Sequence, residues 1–372
     1  KTCVSAPFIS PRSAKIPTRH MSIDPSSQFA QFLNINLPNA EPIIFSAAIA
    51  QKLRDRVDGV RLHAHTYSFI QNLTHGSFRP ADVLEFAYEH ELHGINIHVD
   101  DGEKHSLAQS TPKQLARFKT YTQELNLTIH LETSSTKKAD IDKVVQIART
   151  LDVQNIRVYS RYEGFLSQAL TWTVADLRYM ARLADQYNLF FDFEQHEEFK
   201  STEIVHMLKR VDHPRIHALF DFTNMINACE QPLTAMKAMA PYIRQVHLKG
   251  AKVIKESKGY GQVGVVQGSP EDKMPYARML FELLLLGEAK PQVISFALEQ
   301  EVDYYAPAYR HTDEGEDPFI PYKDPSETPF DEKNADKIFL NERRWANNQV
   351  HFIKSLLATM RWQATSYLKN ER

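Results

Sequence analysis

The stretch Phe190–Glu198, FFDFEQHEE, decides how this chain is read. Leu189, Phe190, Phe191 and Phe193 form an apolar run of the kind found in a strand buried on both faces. The run passes directly into Glu194, Gln195, His196, Glu197 and Glu198. A buried strand that delivers carboxylates and an imidazole at its end is a candidate site.

The same pattern recurs downstream. Ile216 to Phe220 runs into Asp221, Ile243 to Val246 into His247, and Val293 to Leu298 into Glu299 and Glu301. Glu194, Asp221 and His247 follow one another at intervals of about 26 or 27 residues. That is close to one βα unit of a (β/α)₈ barrel, in which about 250 residues divide into eight units of roughly 31. The step to Glu299 is longer because a polar, glycine-containing segment (Lys252 to Lys273) intervenes, expected to be a mobile loop over the site. In such a barrel all strand ends of one polarity open on one face, so four residues far apart in sequence are expected to meet.

Outward from this core, regular alternation begins at Val60. The strands expected before Phe190 are VRLHAHTYSF, GINIHVDDGE, LTIHLETSS and IRVYSRYEG. Helices are expected over Pro80–Glu91, Pro112–Leu125, Lys137–Leu151, Thr173–Tyr187, Ser201–Val211, Pro232–Met239 and Met274–Leu286, with Trp345–Leu368 closing the ring. Strict alternation implies right-handed crossovers and a parallel sheet, hence an α/β (β/α)₈ TIM barrel with an N-terminal extension and a long insertion after strand 8. Residues 1–27 are set apart as a disordered or leader/tag segment, basic until Asp24, and 28–372 as a single TIM-barrel domain. Short helical fragments over Phe29–Leu53 are expected to plug the bottom of the barrel. The insertion, about 302–341, is rich in Pro, Tyr and acids, which suits a lid, a specificity loop or a subunit contact.

The totals narrow the function. A length of 372 residues and 42% hydrophobic content suffice for one large core. A net charge of −2 disfavours nucleic acid as a partner. Two cysteines far apart, Cys3 and Cys229, fit neither a disulfide framework nor a zinc framework, so a reducing, cytoplasmic setting is expected. No apolar run reaches the roughly 18 residues that span a bilayer, so no membrane partner is expected. Assembly into a homo-oligomer is left open.

Three carboxylates and one imidazole form an oxygen-rich donor set suited to Mn²⁺ first, with Mg²⁺, Co²⁺ or Zn²⁺ as alternatives. Without a cation such carboxylates would repel one another. A divalent ion there would polarise a substrate carbonyl and acidify the proton on the adjacent carbon. Two glutamates, one on each face of the substrate, could then move that proton. For any one of the four residues alone, a helix cap, a salt bridge or a satisfied buried histidine is the plainer explanation; the recurrence on four strands favours the metal.

The ordered set E-x-H-E (Glu194 to Glu197), D-x-x-N (Asp221 to Asn224), H-x-K (His247 to Lys249) and a glutamate ending the last strand (Glu299) resembles the xylose isomerase-like barrels of the sugar phosphate isomerase/epimerase superfamily over roughly Val60 to Leu368. The resemblance implies that Glu194, Asp221, His247 and Glu299 bind the metal and that Glu194 and Glu299 serve as acid and base. It places His196, Asn224 and Lys249 in the substrate pocket. His98 and Arg161, at the ends of earlier strands, are added as substrate-binding candidates, and His63, His65, Asp100, His130, Glu132 and Tyr159 face the same mouth. Many relatives read H-x-K-D where this chain has Gly250, so the hydrogen bond such an acid makes behind the ligands is not expected. Glu197 and Glu301 rival Glu194 and Glu299, because alternate residues of a strand share a face. The function expected is a metal-dependent isomerase or epimerase of a sugar, keto-sugar or derivative. A lyase of the same superfamily (dehydratase, decarboxylase of a keto sugar acid, or deglycosidase) is the alternative, and a DNA repair endonuclease a more distant one.

Overall fold

Eight short parallel strands close into a barrel: β1 Leu62–His65, β2 Gly94–His98, β3 Thr128–Thr133, β4 Asn155–Val158, β5 Phe190–Glu194, β6 Ile216–Asp221, β7 Ile243–Leu248 and β8 Ser295–Leu298. The computed structural model describes residues 25–37, 43, 45–323 and 330–370. The expectation for the N-terminal segment therefore falls, up to residue 24, outside the described residues. Each strand pairs with its neighbour in sequence, and β8 pairs with β1 to close the ring. This TIM barrel is the expected fold.

Helices between the strands form where local signals allow. Thr111 and Gln114 cap each other's backbone to start Pro112–Glu124. Glu203 accepts from the Lys200 N–H at 2.7 Å to start Ser201–Val211. Lys138–Leu151 buries Ile141, Val144, Val145, Ala148 and Leu151 on one face, the stripe by which a helix covers a barrel wall.

One irregularity sets the direction of a key side chain. Between β6 and β7 the register runs Ala218 to Ile243 and then Leu219 to Gln245, so Arg244 is an extra residue. Successive strand residues point to opposite faces, and a one-residue bulge reverses the phase beyond it. Because of the bulge, His247 pairs with Asp221 and shares its inward face.

Four departures from the sequence reading have physical causes. The segment expected to be a mobile loop is an antiparallel hairpin, Gly250–Lys255 with Tyr260–Val265, and Tyr305–Ala306 adds a third strand to it. The helix expected from Thr173 begins at Leu166, because Asp317 of the insertion accepts from Ser167 N at 2.7 Å and Oγ at 2.8 Å. The closing helix begins at Ala335, inside the presumed insertion. Pro25–Leu33 and Ala47–Asp58 do not plug the barrel bottom. They lie against outer helices, with Phe29 edge-on to Phe281 at 5.9 Å and Asp58 paired with Arg361 of the closing helix at 2.5 Å.

The insertion folds over the ends of β4 and β5. Phe319–Ile320 pairs with Gly164–Phe165, and Tyr322 N donates to Glu163. Buried Arg310 bonds both Glu203 carboxylate oxygens and the Glu198 carbonyl. No helix among the described residues is long and apolar enough to cross a membrane.

Candidate active site

The ends of β5, β6, β7 and β8 bring Glu194, Asp221, His247 and Glu299 together, each no more than 3% exposed. Glu194, Asp221 and His247 each offer a donor atom within 4.8 Å of the others. Glu299 Oε2 lies 2.8 Å from His247 Nδ1. Glu194 Oε2, Asp221 Oδ2, His247 Nδ1 and Glu299 Oε2, one atom from each residue, are buried without a directed hydrogen bond, although Arg157 Nε stands 3.0 Å from Glu194 Oε2 and Lys249 Nζ 3.0 Å from both Asp221 Oδ2 and Glu299 Oε2. Such atoms are costly to bury unless a ligand takes up their lone pairs. The donor set and its unused lone pairs fit a hard divalent cation.

The remaining atoms of these residues are held by protein. Asp221 Oδ1 accepts from Thr223 N at 2.8 Å and Asn224 N at 2.9 Å, leaving Oδ2 turned to the cluster. Asn224 Nδ2 donates to Glu194 Oε1 at 3.2 Å. His247 Nε2 meets Glu132 Oε1 at 3.1 Å. A proton on Nε2 satisfies that contact and leaves the Nδ1 lone pair facing Glu299. Two electron-rich atoms at 2.8 Å need a cation or a proton between them.

Charges around the cluster are closely matched. Burial alone would lower the His247 pKa, but Glu299 and Glu132 raise it well above the usual value. Burial would raise Glu299 and Glu132, but their neighbours bring both well below the carboxylate range: His65, Lys249 and His247 for Glu299, and Arg157, His65 and His247 for Glu132. Asp221 goes up, through burial and the repulsion of Glu299 and Glu194, despite Lys249. The Lys249 ammonium sits 3.0 Å from each of Asp221, Glu299 and Glu301.

The rivals separate in space. Glu197 turns away to accept from Tyr304 Oη at 2.9 Å and to pair with Lys323 of the insertion. Glu301 reaches the cluster only through Lys249. His65 is also grouped with His247 and Glu299, but both its nitrogens are engaged. Nδ1 accepts from Tyr67 N, which leaves Nε2 to donate to Glu132, both at 3.0 Å.

Other predicted pocket residues divide. His196 stacks on Tyr159 at 3.9 Å, and Arg161 donates to Tyr159 Oη at 2.5 Å. His98 turns to Ser134 at 2.9 Å, and Asp100 to Lys143 at the surface. His63 and His130 lie deeper, against Asn96 and Gln245. Gly250 admits no side chain, since a Cβ there would stand 2.7 Å from Gln267 Cα. The support expected to be lost there is given to His247 by Glu132 instead.

Arg157 escaped the sequence reading. It bridges the cluster from below, 2.6 Å from Glu132 Oε2 and 3.0 Å from Glu194 Oε2. The available signal was a charged residue between Ile156 and Val158 of a buried strand.

With this geometry in hand, residues 74–287 match the xylose isomerase-like TIM barrel family. The chain is 41% identical over 86% of its length to the uncharacterised protein YihM of Escherichia coli K12, covering 98% of that protein. It is 23% identical to 3-dehydroshikimate dehydratase of Bacillus anthracis, over 45% of this chain and 65% of that one. A D-psicose 3-epimerase structure determined in the presence of D-fructose aligns with TM-score 0.55 at 12% identity, over 80% of this chain and 99% of that one.

Proposed function

Because the chain belongs to the xylose isomerase-like TIM barrel family, we propose that it is a divalent-metal-dependent isomerase or epimerase of a sugar, keto-sugar or derivative. The observation that carries this reading is the convergence of four buried donor atoms from Glu194, Asp221, His247 and Glu299 that receive no directed hydrogen bond. A cation held by these residues, Mn²⁺ by preference, would supply Lewis-acid polarisation of a carbonyl. Glu194 and Glu299 are the acid and base that remove and return the proton beside that carbonyl. Lys249, 3.0 Å from Glu299, offers an ammonium to a substrate oxygen, and Asn224 keeps Glu194 oriented. His196 and Arg161 approach the substrate from the loops after β5 and β4, and His98 from the end of β2.

The second reading is a lyase, favoured by the sequence relative named as a dehydratase. It would use the same proton abstraction to expel a group. A nuclease is disfavoured, because a net charge of −2 supplies no general basic field for a polyanion.

Metal titration followed by Mn²⁺ paramagnetic resonance tests the centre. Asp221→Asn is expected to weaken binding by more than about 100-fold, beyond the 10–100-fold typical of residues behind the ligands. Unchanged binding in that variant would remove the basis of the proposal. Product analysis with keto sugars and keto sugar acids separates the readings: an epimer marks the isomerase, carbon dioxide or an eliminated group the lyase.

A further inference from the structure

A second set of buried polar atoms lacks hydrogen bonds where the loops after β4 and β5 meet the insertion: Ser160 Oγ, Arg161 Nε, and His196 Nδ1 and Glu198 Oε2, which stand 3.8 Å apart. Ser160 is 2% and Glu198 5% exposed. His196 links this set to the metal centre. It lies two residues beyond Glu194 and within electrostatic reach of both Arg157 and Lys249 on one side and Arg161 and Lys323 on the other.

Arg161 is the unusual member. Its Nη2 donates to Tyr159 Oη at 2.5 Å and its Nη1 to the Lys323 carbonyl at 3.1 Å. These neutral acceptors orient the guanidinium without cancelling its charge. Among the described residues it forms no ion pair with a carboxylate. The neighbouring cation, Lys323, is already paired with Glu197. Glu198, the other acid nearby, is pushed up to about 8 by burial and by the charge of Glu197, so near neutral pH it is mostly protonated and can donate. The local balance leaves one positive charge, together with hydroxyl and acid donors.

We propose that Arg161, with Ser160, His196 and Glu198 around it, binds the carboxylate of the substrate, which is therefore a sugar acid and not a neutral ketose. A guanidinium held in place by neutral acceptors is suited to a planar carboxylate. A phosphate dianion would leave a buried charge uncompensated, because Arg161 is the only unpaired cation among the described residues of this subsite. The assignment rests on the metal-centre reading for the other end of the substrate and supplies the substrate class that reading leaves open.

The experiment is calorimetric binding to the Mn²⁺-loaded full chain, with D-glucuronate, D-galacturonate and D-gluconate as carboxylate probes. D-Glucose is the neutral probe and D-glucose 6-phosphate the phosphorylated one. At least one carboxylate probe is expected to bind tenfold or more tightly than glucose. Arg161→Gln should abolish that preference with Mn²⁺ binding unchanged, and Arg161→Lys should keep part of it. Thermal melting of each variant verifies folding. The subsite is overturned if no carboxylate probe binds better than glucose, if the phosphorylated probe binds best, or if folded Arg161→Gln keeps the preference. Mn²⁺ binding is measured separately. An Arg161-dependent preference in a chain that binds no Mn²⁺ sinks the metal centre and leaves the subsite standing.

Discussion

Two polar rings lie one above the other inside this barrel, and the same residue types behave oppositely in them. The upper ring is Glu194, Asp221, His247 and Glu299. The lower ring lies nearer the N-terminal end of the strands, two residues before Glu194 and His247 on β5 and β7 and four before Glu299 on β8, and includes His63, Asn96, His130, Asp192, Gln245 and Ser295. In the lower ring, His63 meets Asn96 at 3.0 Å, while His130 meets Gln245 at 2.7 Å and Ser295 at 3.2 Å. Asp192 is paired with Arg244 and Gln245, although its Oδ1 is left over. Burial lowers the pKa of His63 and takes His130 down to about 4. In the upper ring His247 goes the other way, because carboxylates surround it. Polarity alone does not mark a site; crowded charge with unused lone pairs does.

The sharpest way to test this contrast is at Arg157, which holds Glu132 and Glu194 from beneath the upper ring. Arg157→Met leaves two buried carboxylates without their cation, and a loss of about 3–5 kcal/mol in urea unfolding is expected. A loss below about 1 kcal/mol would mean that the upper ring is not charged as described.

Acid tests the lower ring. The unfolded chain takes up a proton on His130 near 6.5, the folded chain only near 4. That stability is fully present above about pH 6.5 and is lost as pH falls toward 4, by up to ~3 kcal/mol for this residue. His130→Gln should flatten the unfolding free energy over that window. An unaltered slope would show that His130 is not buried neutral.

The smallest effect expected is at the join between the rings. Glu132→Gln keeps an acceptor for His247 Nε2 but removes a charge, and Mn²⁺ affinity should fall by about tenfold. A larger loss, equal to that of Asp221→Asn, would mark Glu132 as a ligand itself.

Much of this was legible before any coordinates. Ser201–Val211 and Pro232–Met239 have the boundaries expected from the sequence. Glu194, Asp221, His247 and Glu299 stood out because each ends an apolar run. Arg157 did not, because its importance comes from Glu132 on β3 and Glu194 on β5, neither a sequence neighbour. The early start of the Leu166–Tyr187 helix was hidden for the same reason, since Asp317 lies 150 residues away from Ser167.

By itself the sequence determined the barrel and the strand ends that line its mouth, because period and chain reversal are local properties of a run of residues. Only the tertiary structure decided which atoms are left without a directed hydrogen bond: Nδ1 of His247 and not of His65, Oδ2 of Asp221 and not Oδ1. A lone pair is spare or spent according to neighbours delivered by other strands. The Arg244 bulge, which turns His247 inward, is a matter of register between strands that neither strand encodes alone.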